Sequence, residues 1–366
     1  MISTTIFPGR YVQGADAIGQ LDAEIARLGK KALAIIDKGV MALVGDAVSG
    51  GGQAAIAVEA FNGECSDEEI ARIGKRVAVE GADVIAGIGG GKALDTAKAV
   101  AHAAGLPVVI VPTLASTDAP CSALSVIYTA EGAFKRYLVL PKNPDVVLVD
   151  TQLIVGAPVR LFVAGMGDAL STFFEAEDCR HTQSPNMTGR IGAMTAYGLA
   201  RMCFDTLLAD GAAAKAAAAQ KIVTPEFERV VEANTLLSGL GFESGGLSGA
   251  HAIHNGLTAL PGTHAYWHGE KVAIGTQALV MLTKRPREIV EAVYGFSEAI
   301  GLPMTLDDIG IGDASDADLL KVAKLACDPA DTMGNVPGSV KPEDVVAAIK
   351  AADAEGRSRK AKRLAA

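Results

Sequence analysis

The pattern of apolar residues changes near residue 158, and this change constrains the fold more than any other feature of the sequence. Before it, helical segments alternate with short apolar runs: KALAIID (31–37), ADVIAGIG (82–89), PVVIVPT (107–113) and DVVLVD (145–150). This alternation is typical of a doubly wound, mostly parallel sheet. After it, the strand pattern disappears and alanine- and leucine-rich helical sequence follows. We therefore predict an α/β domain over 1–157 and an all-helical domain over 158–366.

Charge and cysteine usage exclude several classes of partner. The formal net charge is −9, so the chain as a whole offers no electrostatic support for a nucleic-acid partner. The five cysteines are scattered without CxxC spacing, as expected for reduced thiols. The sequence has no secretory signal pattern and no apolar run of about twenty residues that could span a membrane. We predict a soluble, cytoplasmic protein with no membrane partner.

A glycine loop joins the second apolar run to a helix. In ADVIAGIGGGKALDTAKAVA the glycines Gly89, Gly90 and Gly91 lie between a buried strand and an amphipathic helix. Glycines let the backbone approach a phosphate closely, and the helix adds its positive N-terminal end. The segment lacks the GxGxxG pattern, and Ala93 after Lys92 excludes a Walker loop. A turn without a ligand is the alternative; we predict a site for the pyrophosphate of a dinucleotide.

Asp37 ends the first predicted strand and is followed by Lys38-Gly39. A carboxylate at this end of a neighbouring strand can accept hydrogen bonds from the adenosine ribose and repel a 2′-phosphate, which favours NAD over NADP. An ordinary turn aspartate is the alternative, and spacing alone does not decide between them.

Four of the six histidines fall within eighteen residues: His251, His254, His264 and His268. Two imidazoles plus a carboxylate, with one position open, form a catalytic zinc or ferrous site. Spacing does not decide which histidines bind a metal. Asp168 in GMGDALSTFFEAE offers the carboxylate, but it follows two glycines where a helix could begin, so a helix N-cap is an equal alternative.

The chain resembles the glycerol dehydrogenases of the group III, or iron-type, alcohol dehydrogenase superfamily over essentially its whole length. Four stretches carry the resemblance: GIGGGKALDTAKAVAH, VPTLASTDAPCSALSVIYT, GMGDALSTFFEA and LSGLGFESGGLSGAHAIHNGLTALPGTHAYWHGEKVAIGTQ. The stretch that contains the glycine loop is typical of the whole superfamily. The stretch VPTLASTDAPCSALSVIYT and the long histidine-containing stretch narrow the resemblance to the glycerol-oxidising branch. The resemblance also implies a dehydroquinate synthase-like architecture and a homo-oligomer, commonly an octamer.

Carried over position by position, the resemblance assigns the metal ligands to Asp168, His251 and His268, with zinc usual and iron found in other relatives. Asp118 corresponds to the residue that hydrogen-bonds the polyol, and Phe242 and His254 border the same pocket. The dinucleotide contacts fall on Asp37, Gly91, Lys92, Asp95, Thr113, Ser116, Ser122, Leu124 and Tyr128.

The implied reaction is NAD-dependent, zinc-dependent oxidation of glycerol to dihydroxyacetone, with 1,2-propanediol and 2,3-butanediol open as further substrates. His254 would relay the released proton or orient a ligand, and we favour the second role. A dehydroquinate-synthase-like lyase on the same fold is disfavoured because Lys271 is the only basic residue around His251 and His268. A non-catalytic NAD-binding sensor is disfavoured because it needs no open metal position.

Overall fold

The structure, a computed structural model, describes residues 2–49 and 52–365 of the chain. The described residues form two compact units. The sheet unit contains residues 6–158 and 220–223, and the helical unit contains residues 2–5, 159–219 and 224–365.

The sheet unit is built from short strands and helices that alternate along the chain. Its strands are β1 Tyr11–Gly14, β2 Lys31–Asp37, β3 Ala55–Phe61, β4 Val84–Gly89, β5 Val108–Pro112, β6 Leu124–Tyr128, β7 Phe134–Val139 and β8 Val146–Asp150. Its helices are α1 Leu21–Ala26, α2 Met41–Val48, α3 Asp67–Glu80, α4 Gly91–Ala104 and α5 Thr151–Gly156, with 3₁₀ turns at Ala17–Gln20 and Ala119–Cys121.

The central sheet is parallel and has the strand order β1-β8-β5-β4-β2-β3. Strands β2, β4, β5 and β8 lie in the four predicted apolar runs, and the predicted α/β fold is confirmed. These strands are almost wholly buried because a parallel sheet is covered on both faces. Leu21 and Ile25 of α1 and Val44 of α2 belong to one core cluster with the strands.

A separate antiparallel hairpin, β6 with β7, was not predicted from the sequence. Strand β7 is mostly exposed and carries Lys135 and Arg136, so it lacks the apolar run that identifies a buried strand. Both cations pair with Asp67 at the start of α3, with nitrogen–oxygen distances of 2.8 and 2.7 Å. The ion pairs that join the hairpin to α3 link residues far apart in the sequence, so the local sequence pattern does not reveal them.

The helical unit is a set of packed helices. They are α6 Val159–Thr182, α7 Met194–Ala219, α8 Pro225–Glu232, α9 Ser238–Gly245, α10 Gly249–Leu257, α11 His268–Leu282, α12 Arg287–Ile300, α13 Asp316–Ala326 and α14 Pro342–Ala365. A π-helical segment, Ala233–Leu237, joins α8 to α9. Apart from a bridge between Ser3 and Ile191, the described part of this unit contains no β-structure. Over residues 2–49 and 52–365, no helix has the length and apolar character needed to cross a membrane.

Glycines allow α6, α10 and α11 to approach one another at backbone distance. A Cβ atom at Gly275 of α11 would overlap the carbonyl oxygen of Ala250 in α10, and one at Gly269 would overlap that of Ala164 in α6. A Cβ atom at Gly167 of α6 would lie 2.5 Å from the carbonyl oxygen of Gly269. Because any larger residue would push these helices apart, the three glycines fix the distances between them.

We expect Gly275→Ala to lower the free energy of unfolding by about 1–3 kcal/mol, because the methyl group must displace backbone rather than a flexible side chain. Gly295→Ala is the matched control, since a Cβ atom there meets no atom within 4 Å. That exposed position in α12 should gain about 0.5–1 kcal/mol from the better helix former. Urea unfolding of both variants measures the difference, and equal stability would contradict the packing argument.

Candidate metal and nucleotide-binding sites

Asp168, His251 and His268 lie together in the helical unit, and each offers one ligand atom within 4.8 Å of the others. The Asp168 Oδ1 atom is 3.1 Å from His268 Nε2 and 3.5 Å from His251 Nε2. Asp168 is fully buried, whereas the His268 side chain is 38% exposed. The cluster therefore opens towards solvent on the side of His268.

Each member of this triad comes from a different helix. His268 is the first residue of α11, and His251 lies in the first turn of α10. Asp168 lies in the third turn of α6, which begins at Val159. The interpretation that a helix begins at Asp168 was wrong, because the helical run extends upstream through VRLFVAGM; an N-cap role is thereby excluded.

Glu175 holds His251 in place, and the sequence analysis missed it. Its Oε2 atom accepts a hydrogen bond from His251 Nδ1 at 2.6 Å, and its Oε1 atom accepts from the backbone N–H groups of Ser248 and His251 at 2.9 and 3.0 Å. Because a carboxylate only accepts, Nδ1 carries a proton, and Nε2, which faces Asp168, is the ring nitrogen that a metal could bind in place of its proton. Glu175 lies seven residues after Asp168 in α6, on the same helix face, which was the available signal.

The charges of the triad are strongly coupled. Burial alone would raise the pKa of Asp168, but the charge of His268 and hydrogen bonds from both imidazoles hold it well below its usual range. Burial alone would lower the pKa of His251, but Glu175 and Asp168 hold it well above the ordinary value. One carboxylate and two imidazoles form a donor set that zinc and ferrous iron both accept, so these residues fit a divalent transition metal.

His254 and Phe242 also lie in the helical unit. The His254 ring stands edge-on to that of His268, with 4.3 Å between centroids, and its Nδ1 atom is 3.1 Å from Asn255 Oδ1. Burial and the charges of His268, His251 and Lys271 hold the pKa of His254 well below its ordinary value, so the ring is neutral at neutral pH. Phe242 is buried in α9. Their roles at a substrate remain predictions.

The glycine loop of the sheet unit has the conformation that its sequence predicts. Gly89 has φ +151°, which a residue with a side chain rarely adopts, and Gly90 is the N-cap of α4. A Cβ atom at Gly89 would lie 2.8 Å from Cβ of Asp37, so that carboxylate lies beside the loop. Asp37 Oδ1 also accepts from the Gly39 N–H at 2.8 Å, as a turn aspartate does. Thr113 donates its N–H to the Gly89 carbonyl oxygen at 3.0 Å.

Lys92 and Tyr128 meet beside this loop. Lys92 Nζ lies 4.8 Å from the Tyr128 ring centroid and is bonded to both carboxylate oxygens of Glu64 at 2.6 and 2.7 Å. The sequence analysis gave Glu64 no role. Since its carboxylate competes with a phosphate for the same ammonium group, it can modulate how tightly Lys92 binds an anion.

The remaining predicted contacts lie between β5 and β6, as Ser122 does, at the start of β6, as Leu124 does, or in the body of α4. Asp118 is buried at the N-cap of the 3₁₀ turn Ala119–Cys121, and Ser116 is half-buried just before it. Asp95 is buried, pairs with Lys98 at 2.9 Å and accepts from the Val126 N–H at 2.9 Å. A direct contact between Asp95 and a dinucleotide remains a prediction.

Comparisons with known proteins agree on one family. The family model described as iron-containing alcohol dehydrogenase matches residues 8–151. The chain is similar to a glycerol dehydrogenase of Thermotoga maritima, with 60% identity over 98% of this chain and 99% of that one. Among solved structures, a probable glycerol dehydrogenase from Sinorhizobium meliloti 1021 is 44% identical with a TM-score of 0.92, over 98% of this chain and all of that one. A glycerol dehydrogenase from Schizosaccharomyces pombe is 38% identical with a TM-score of 0.93, over 99% and 93% of the two chains.

We expect Glu175→Gln to lower the affinity for zinc about 10–100-fold, because an amide no longer fixes the His251 ring with Nε2 free. Chelator competition on the purified protein measures this affinity, and thermal unfolding checks that the variant is folded.

The matched control is His264→Asn, which alters an exposed histidine outside the triad and should leave zinc affinity unchanged. A folded Glu175→Gln variant with wild-type zinc affinity would refute the role given to Glu175.

Proposed function

We propose that this chain, which belongs to the iron-containing alcohol dehydrogenase family, oxidises glycerol at its central carbon to dihydroxyacetone, with NAD as hydride acceptor and zinc as metal. One observation carries the proposal: a carboxylate and two imidazoles gathered within 4.8 Å, in a chain 60% identical to a glycerol dehydrogenase. Hydride transfer of this kind is reversible.

The metal site would be held by Asp168, His251 and His268. Glu175 supports it by keeping the proton of His251 on Nδ1, and the packed His254 ring supports the orientation of His268. When bound, zinc would supply Lewis acidity towards a substrate hydroxyl, and NAD would accept the hydride. Because His254 is neutral at neutral pH, it adds no positive charge to this site.

The dinucleotide would be held by the sheet unit. The glycine loop exposes backbone N–H groups and the positive end of α4, which suit a pyrophosphate. Lys92 adds a cation next to the loop, and Asp37 adds a carboxylate that suits a ribose and repels a 2′-phosphate. This charge arrangement supports NAD over NADP.

Asp118 would select a polyol. A buried carboxylate left without its hydroxyl partner costs binding energy, so the residue discriminates against an alcohol that lacks a second hydroxyl group. By family resemblance, Phe242 would provide an apolar contact to the substrate. Glycerol is the proposed substrate, and 1,2-propanediol and 2,3-butanediol share the required pair of oxygens.

The two alternative functions, a lyase and a non-catalytic NAD-binding sensor, have less support. A lyase acting on a phosphorylated acid needs several cations near the metal, yet the sequence around His251 and His268 offers only Lys271. A sensor has no use for an exposed side of a metal triad, and here His268 is 38% exposed. A homo-octamer and a cytoplasmic location remain part of the proposal by family resemblance.

NADH absorbance at neutral pH tests the proposal. Zinc-loaded protein should reduce NAD with glycerol much faster than NADP, because Asp37 opposes the 2′-phosphate. Chelation should abolish turnover and zinc should restore it, whereas full activity after complete metal removal would contradict the proposed site.

Asp118→Ala provides the control for substrate choice. It should lower kcat/KM for glycerol about 10–100-fold, as expected when a hydrogen bond to a charged group is lost. It should change kcat/KM for propan-2-ol much less, because that alcohol has no second hydroxyl. Equal losses for both alcohols would remove Asp118 from the polyol contact.

A further inference from the structure

Lys98 is a completely buried lysine at the end of the second turn of α4, seven residues after Gly91. Its ammonium group donates to the carbonyl oxygen of Ala119 at 3.0 Å and to that of Leu124, and it pairs with Asp95 Oδ1 at 2.9 Å. The ammonium group is therefore held by hydrogen bonds to two carbonyl oxygens and by one ion pair with a carboxylate. The carbonyl and hydroxyl oxygens of Ser122 lie slightly farther away, at 3.4 and 3.5 Å.

The carbonyl oxygens around Lys98 belong to one short segment, residues 118–124, which leads from the loop after β5 into the hairpin strand β6. This segment contains the 3₁₀ turn Ala119–Cys121 and ends at Leu124, the first residue of β6, which pairs with Val139 of β7. It also contains Asp118, Ser122 and Leu124, three of the residues assigned above to polyol and dinucleotide.

The same helix therefore serves two parts of the predicted site. The N-terminus of α4 faces the glycine loop, and one face further along it carries Asp95 and Lys98, which are three residues apart. Asp95 also binds strand β6. Its carboxylate accepts a hydrogen bond from the Val126 N–H, and its carbonyl oxygen accepts one from the Ser125 hydroxyl. The glycine loop and segment 118–124 are thus both attached to the same helix, α4.

We propose that Lys98 is a positioning residue that holds segment 118–124 in the conformation in which Asp118, Ser122 and Leu124 contact substrate and dinucleotide. This inference rests on the proposed function. Lys98 itself touches neither ligand; it acts through the carbonyl oxygens that it binds. Because its bonds converge on a segment that lies outside the parallel sheet, their loss should loosen that segment and leave the parallel sheet intact.

The experiment compares the zinc-loaded wild type with Lys98→Met, which keeps the length of the side chain and removes its donors. Val100→Ala is the matched control, since it truncates a buried residue of the same helix without removing a polar contact. Each protein is assayed for hydrogen exchange of the amides in residues 114–126, for NAD affinity by calorimetry and for bound zinc. Should Lys98→Met be insoluble, the double variant Asp95→Asn, Lys98→Met removes both buried charges and is compared with Asp95→Asn alone, because Asp95 is itself a predicted dinucleotide contact.

Lys98→Met should raise hydrogen exchange at least tenfold in residues 114–126 and raise the Kd for NAD at least tenfold, with zinc content unchanged. Val100→Ala should lower Tm without either effect. Unchanged exchange in this segment, or faster exchange with wild-type NAD affinity, would overturn the inference. A wild type that binds no NAD would instead overturn the proposed function, while the exchange comparison would still decide whether Lys98 holds the segment.

Discussion

Backbone contact between three helices is the constraint on which the metal site depends. Gly167 and Gly269 bring α6 against α11, and Gly275 brings α11 against α10, at distances that exclude a Cβ atom. The ligand atoms of Asp168, His251 and His268 can lie within 4.8 Å of one another only because their helices approach so closely. The absence of side chains at these glycines thus sets the distances between the helices. The positions of the three predicted ligands follow from where they lie on these helices. Glu175 completes the arrangement by joining the start of α10 to α6 through two backbone N–H groups and one imidazole.

In the sheet unit, the predicted anion site is made of backbone N–H groups at the glycine loop. Strand β4 ends at Gly89, whose φ of +151° turns the chain into α4 and leaves Asp37 of the neighbouring strand beside the loop. Parallel strands place their carboxyl ends at one edge of the sheet, so residues far apart in sequence, such as Asp37 and Thr113, meet the same loop. The chemistry of the loop therefore depends on sheet topology as much as on its glycines.

The sequence allowed the sheet and the helical region to be predicted, because both are encoded in local periodicity. Residues 31–37 form a strand over the predicted range, and the histidines of HAIHNG share one helix. Other features depend on contacts between distant residues. Glu175 meets His251 across 76 positions, and Lys98 meets Leu124 across 26. The start of α6 was misjudged because glycines at 165 and 167 suggested that a helix begins after them, whereas both lie inside α6 and Gly167 packs against the backbone of Gly269.

The central claim is that one carboxylate and two imidazoles from the glycine-packed helices bind a single metal ion. Zinc K-edge X-ray absorption of the zinc-loaded protein tests this claim directly. The account predicts two imidazole nitrogens and a carboxylate oxygen at about 2.0–2.2 Å, with loss of one imidazole contribution in His268→Ala. A spectrum dominated by sulfur ligands near 2.3 Å, or one unchanged in His268→Ala, would contradict it.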